Sequence, residues 1–187
     1  FVLLFAFVFG TAIDAGAGLN YREFLIGGIF AQTVVFGATF TGAGLAEDMQ
    51  KGIIDRFRSL PMARSAFLAG RTVSDVVYNG GILVVLMLSG LAVGWTVHTG
   101  LAQLVAGVAL LLLFVFAMSW IGVWVGLSVP SVEVAQQVAF TVLFPITFVS
   151  NVFVPTQTLP SWLQPVAEWN PTSTLTAALR QLWGNPN

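Results

Sequence analysis

From Leu101 to Leu127 the chain runs for 27 residues without one charged side chain. As a helix, that stretch is about 40 Å long. A bilayer core of about 30 Å needs only some 20 such residues. No water is present in that core to bond a free N–H or C=O, so the backbone must satisfy itself, and a helix does this within one segment. Three further stretches meet the same requirement: Phe24–Leu45, Thr72–Val93 and Val134–Val154. Phe1–Ile13 is apolar from its first residue and lacks a basic n-region, so it reads as the tail of a helix and not as a secretory signal. The sequence LWGNPN at the other end also reads as the interior of a longer protein. The expectation is an all-α, polytopic transmembrane helical bundle.

Composition closes off the alternatives. Hydrophobic residues make up 57% of the chain and charged residues 8%, against roughly 25% charged in soluble domains. A water-soluble outside cannot be covered from that supply. A net charge of −1 offers no basic stripe for a nucleic acid. With no cysteine and His98 as the single histidine, thiol chemistry and histidine metal clusters are excluded. HExxH, GxSxG and GxxxxGK[ST] are all absent, so the chain is not expected to be an enzyme or to bind ATP through a phosphate loop.

The basic residues set an orientation. Five of the seven, Lys51, Arg56, Arg58, Arg64 and Arg71, fall in residues 46–71, and positive loops stay in the cytoplasm. Alternation then puts 14–23, 94–100 and 155–187 outside and 128–133 inside.

Within that loop, Glu47–Leu60 reads as an amphipathic helix. Glu47 and Asp48 open it and Arg56 and Arg58 close it, in the sense of the helix dipole. Lys51 and Asp55 stand four apart and can pair. Ile53, Ile54, Phe57 and Leu60 form one apolar stripe, and Pro61 stops the helix. Gly52 costs such a helix roughly 1 kcal/mol against alanine, so it must dock on something. Its surface fits either lipid headgroups or a groove on a cytoplasmic protein.

At the other side, Pro155, Pro160, Pro165 and Pro171 forbid a long helix after Val154. Trp162, Leu163, Val166 and Trp169 supply an aromatic, interfacial face. Asn170 and Pro171 form an N-cap and first-turn pair, ahead of the stripe Leu175, Ala178, Leu179 and Leu182, with Gly184 as the stop. This segment serves as an aromatic anchor or as a lid over an exit.

Polar residues in the spans must face another helix or a watery cavity. Asn79, Gln136, Gln137 and Asn151 are of this kind, while Asp75 is expected to pair with Arg71 and Glu133 marks a helix start. Pro145 frees the Thr141 carbonyl and kinks its helix. Asn79, Gln136, Asn151 and Pro145 are therefore candidates for a substrate path or for helix packing.

Two stretches resemble one family. GIIDRFRSLPMARSAFLAGRTVSDVVYN is similar to the loop and following helix of ABC-2 type permeases, above all the daunorubicin/doxorubicin-resistance (drug and lipid export) permeases. FVSNVFVPTQTLPSWLQPVAEWNPTSTLTAALRQLW resembles the region before their last membrane helix. The resemblance implies six helices per permease, of which this chain would hold about five as a single domain over 1–187. It implies a homodimer or heterodimer of permeases in the bacterial inner membrane, moving a hydrophobic drug or lipid-like substrate. It also implies an ABC ATPase that carries the ATP and Mg and grips a coupling loop at 46–64. Glu47, Lys51, Ile53, Ile54, Asp55, Arg56, Phe57, Arg58, Leu60 and Pro61 would be the coupling residues, and 155–183 the outer re-entrant segment with Trp162, Leu163, Trp169, Asn170 and Pro171. The alternatives are a secondary transporter, which the lack of a mid-membrane carboxylate disfavours, or a membrane scaffold without transport.

Overall fold

The computed structural model describes residues 21–53, 64–153 and 155–185. They form α1 (Tyr21–Gln50), α2 (Arg64–Ala92), α3 (Leu101–Ser128), α4 (Val132–Phe148), a 3-10 turn at Thr156–Thr158, α5 (Gln164–Glu168) and α6 (Pro171–Trp183). Among the described residues, three helices are long and apolar enough to cross a membrane: Glu23–Gln50, Phe67–Ala92 and Leu101–Ser128. The expected stretch Phe1–Ile13 and the core of the expected loop helix, residues 54–61, lie outside the described residues.

Two boundaries differ from the sequence reading. The fourth span was expected over Val134–Val154, but α4 has 17 residues and ends at Phe148. Its end is fixed by polar capping: Ser150 Oγ donates to Thr147 O at 2.5 Å, and the Asn170 amide donates to Ile146 O at 2.6 Å and to Val149 O at 3.2 Å. Groups that bond the last carbonyls of a helix terminate it.

The loop helix does not open at Glu47. Glu47 and Asp48 belong to the last turn of α1, the chain turns at Lys51–Gly52, and helix resumes at Ile53. Lys51 N bonds Glu47 O and Gly52 N bonds Met49 O, both at 3.0 Å. Gly52 has φ +67°, a left-handed conformation that suits glycine at a helix C-terminus. The residue read as a weakness inside a helix instead stands in the turn that ends α1.

The described residues divide into two compact units, one from 21–33, 81–111 and 145–185, the other from 34–53, 64–80 and 112–144. In the first unit, the rings of Phe30, Trp95 and Trp183 meet edge to face, with centroids 5.2 to 5.6 Å apart. That geometry favours aromatic quadrupoles. A side chain on Gly107 would overlap the Trp183 indole, so α3 approaches this cluster only because residue 107 is glycine. In the second unit, α1 and α3 cross on bare backbone. A Cβ on Gly42 would lie 2.9 Å from Gly122 O, and one on Gly126 would lie 2.6 Å from Gly42 O.

Candidate functional site

Charged groups are few among the described residues of the first unit. Arg180, fully buried on α6, donates from Nε and Nη2 to Phe24 O at 3.1 and 2.8 Å. Nη2 also donates to Val152 O at 3.3 Å, and the guanidinium carbon stands 3.5 Å from the Phe24 ring centroid. A buried guanidinium is costly unless hydrogen-bonded, and here two backbone carbonyls and an aromatic face supply the compensation. Glycines on α1 make the room: Gly27 would carry a Cβ 3.4 Å from Arg180 Cγ, and a Cβ on Gly28 would overlap the Val152 carbonyl. Arg180 thereby joins α1, the turn after α4, and α6.

Asn170 links two helix ends. Its Oδ1 accepts from Thr172 N at 2.9 Å as the N-cap of α6, while its Nδ2 reaches Ile146 O in the last turn of α4 and Val149 O just beyond it. The sequence expected this N-cap, with Pro171 in the first turn; the second function of the amide was not foreseen. At the far end of α6, Gly184 adopts φ +69° as the expected stop. The last carbonyls there are bonded by the α2–α3 loop. His98 N donates to Trp183 O at 2.9 Å and Thr99 Oγ1 to Leu182 O at 2.6 Å. Asn185 closes the clasp, accepting from Trp95 Nε1 and donating to Thr96 O, each at 3.0 Å. In the same loop, His98 Nε2 and Thr96 Oγ1 both contact Glu23 Oε1, at 3.1 and 3.3 Å.

Beside Asn170 lies a cavity of about 230 Å³, walled by Phe24, Asn151, Glu168, Ser173, Thr174 and Ala177 among others. Asn151 is buried, its backbone N donates to Ser173 Oγ at 3.0 Å, and its Oδ1 has no protein partner. Trp162 and Trp169 are 73% and 89% exposed, and Leu163, the N-cap of α5, is partly buried. Both tryptophans thus face outward from this segment and not into its core.

The second unit holds the other polar cluster. Arg71 on α2 bonds Asp48 on α1, not Asp75 as expected. Asp48 sits in the last turn of α1, where exposed carbonyls disfavour an anion, so the guanidinium gains more there than on its own helix. Asp75 Oδ2 is buried and accepts no hydrogen bond from the described residues. Asn79 is buried, donating from Nδ2 to Asp75 O at 2.8 Å. Its Oδ1 lies where a Cβ on Gly37 would come within 2.8 Å, so this amide packs against α1. Gln136 and Gln137 are exposed on α4, as is Pro145 within it. Among the described residues, no helix covers either glutamine. An apolar cavity of about 180 Å³ in this unit is walled by Gly42, Ile121, Trp124, Val138, Val142 and Leu143 among others.

Of the expected coupling residues, Glu47 and Lys51 are exposed and Ile53 partly buried. Lys51 Nζ pairs with Glu47 Oε1 at 2.5 Å, and the hydrogen bond to that carboxylate raises the lysine pKa. The expected partner Asp55 lies outside the described residues, as do Ile54, Arg56, Phe57, Arg58, Leu60 and Pro61. The sequence reading missed Arg180. A lone arginine between Leu179 and Leu182, on the apolar stripe of α6, was the available signal.

The chain is 35% identical over 182 residues, 97% of its length and 64% of the relative's, to the daunorubicin resistance ABC transporter permease protein DrrB1 of Streptomyces coeruleorubidus. It is 24% identical over 146 residues to the probable doxorubicin resistance ABC transporter permease protein DrrC of two Mycobacterium tuberculosis strains, covering 78% of this chain and 52% of theirs. It thus spans between half and two thirds of the length of these relatives. The family pattern of the ABC-2 type transporters matches residues 1–183, from before α1 through the Arg180-bearing α6. With its apolar helices and its match along almost every residue, this multi-pass membrane chain belongs to the ABC-2 type transporter family.

Proposed function

We propose that this chain is the transmembrane permease part of an ATP-driven exporter that moves a hydrophobic drug or lipid-like substrate outward across the inner membrane. The observation that carries the reading is 35% identity along 97% of the chain to a daunorubicin resistance permease. The hydrolysis of ATP belongs to an ABC ATPase, and the permease pairs with a second copy or a related chain. The loop 46–64 is the ATPase-coupling element. It leaves α1 at the Lys51–Gly52 turn. Movement of the ATPase then reaches α1 and α2 through that turn. At the other side, 155–183 forms the outer re-entrant segment.

The test uses the full-length protein with its ATPase. Ile54→Asp with Phe57→Asp removes two apolar side chains, each contributing roughly 1.5–3 kcal/mol when buried. Co-purification of the ATPase should fall at least tenfold while membrane insertion is unchanged. Retention of the ATPase by the inserted double variant would reject the coupling assignment.

A further inference from the structure

Arg71 stands between two carboxylates and, among the described residues, bonds one of them. On α1, Asp48 accepts its hydrogen bond from across the helix pair. On α2, Asp75 follows Arg71 by four residues, so the two side chains share a face one turn apart. Asp75 Oδ2 is nevertheless buried without a hydrogen bond from the described residues. The two carboxylates also differ in their access to water. The Asp48 side chain is 22% exposed, so water can solvate it when the guanidinium leaves. Asp75 Oδ2 is sealed, so its donor must be a neighbouring side chain and not an entering ligand. Arg71 is the one cation within a helical turn of it on α2. Arg71 in turn reaches α1 only over a glycine: a Cβ on Gly44 would overlap its Nη2.

We infer that Arg71 is a two-position latch: on Asp48 it ties the end of α1 to α2, and rotated onto Asp75 it releases that end. The Asp48 position is the one seen here because an anion in the last turn of a helix gains most from a cation. The Asp75 position satisfies the buried acceptor instead. Each position leaves one carboxylate without the guanidinium, which keeps the two close enough in free energy for both to be populated. Asp48 also lies in the last turn of α1 before the loop 46–64, and Arg71 lies in α2 beyond it. The latch therefore decides whether the two ends of that loop are held together. Its use in transmitting ATPase movement rests on the coupling reading of the loop; the exchange of partners does not.

The experiment measures unfolding equilibria of the full-length protein in detergent, without the ATPase. Asp75→Asn alone should change the unfolding constant by less than about threefold, since Asp75 holds no cation in the observed position. In an Asp48→Asn protein the same substitution should raise that constant about tenfold, the scale of one charge-assisted hydrogen bond. Gly44→Ala, which drives the guanidinium off α1, should make Asp75→Asn equally costly. In an Arg71→Met protein, the effect of Asp75→Asn should no longer depend on residue 48. Additive effects of Asp48→Asn and Asp75→Asn overturn the latch. Non-additivity that survives Arg71→Met is direct repulsion between the carboxylates and overturns it too. A second measurement needs only single charge variants. Spin labels on Met49→Cys and Ala69→Cys, both exposed positions, report the separation of the helix ends. Asp48→Asn should broaden that distance distribution and Asp75→Asn should narrow it; a distribution unchanged by both overturns the latch. Because no ATPase is present, such a failure leaves the exporter reading standing, while absence of ATPase co-purification with the native protein fails that reading alone.

Discussion

Both compact units use close packing at glycine, and they differ in the long-range side-chain bonds that the first adds to it. In the first, side-chain donors reach backbone carbonyls far away in sequence: Arg180 to Phe24 and Val152, Asn170 to Ile146 and Val149, Asn185 to Thr96. In the second, α1 and α3 touch through glycine backbone, and Asp48–Arg71 is an ion pair between α1 and α2. Where water is scarce, a directional bond is lost when a donor is deleted, whereas a close backbone crossing is lost when carbon is added. The first unit should therefore be sensitive to truncation as well as to enlargement at Gly28 and Gly107, and the second mainly to enlargement.

The largest effect should come from Arg180. Arg180→Met keeps a long, flexible side chain but removes the hydrogen bonds to Phe24 O and Val152 O. Charge-assisted bonds are worth about 1.5–3 kcal/mol each, so a loss of about 3 kcal/mol or more is expected in denaturation of the purified protein in detergent. Arg180→Lys should recover less than half of it, because a single ammonium cannot span the carbonyls as the planar fork does. A methionine variant as stable as the native protein would break the contrast between the units.

Enlargement is the next test. Gly126→Val places carbon against Gly42 O and should cost about 1–3 kcal/mol. Gly81→Ala is the matched control on α2, since a Cβ there meets nothing within 4 Å. Replacing an exposed helical glycine should be neutral or stabilise by up to about 1 kcal/mol. If both substitutions destabilise equally, the second unit is not held by its glycine crossing.

What could be read in advance followed the range of the interaction. The charge-free run at Leu101 became a helix through Ser128. The Asn170–Pro171 start and the Gly184 stop also appeared as expected, since capping involves neighbours within a few residues. Arg180 was not legible because its acceptors are backbone carbonyls 156 and 28 residues away, and any residue type presents a carbonyl. Arg71 was assigned the wrong carboxylate for a related reason. Asp75 is its neighbour at helical spacing, but Asp48 lies 23 residues back and at a helix end that an adjacent cation stabilises. The cavity beside Asn170 was equally hidden, since Phe24, Asn151 and Glu168 share no spacing that a pattern could detect.

The smallest effect is expected at the end of α1, where two acidic residues in one helical turn each meet a cation. Arg71 and Asp48 keep side-chain exposures of only 24% and 22%, against 60% and 51% for Lys51 and Glu47. Water screens the second pair far more, and exposed pairs of this kind contribute little. Arg71→Met should cost about 1 kcal/mol, because it leaves Asp48 against the negative end of the helix dipole. Lys51→Ala should give no measurable change. The pH dependence has a defined sign. Glu47 raises the Lys51 pKa above its ordinary 10.5, so any stabilisation by the pair is fully present below 10.5 and is lost only as pH rises through the raised value. Between pH 6 and 9, the native protein and Lys51→Ala should therefore melt in parallel. A difference that opens inside that window, or a Lys51→Ala loss equal to that of Arg71→Met, would show that exposure does not rank these two pairs.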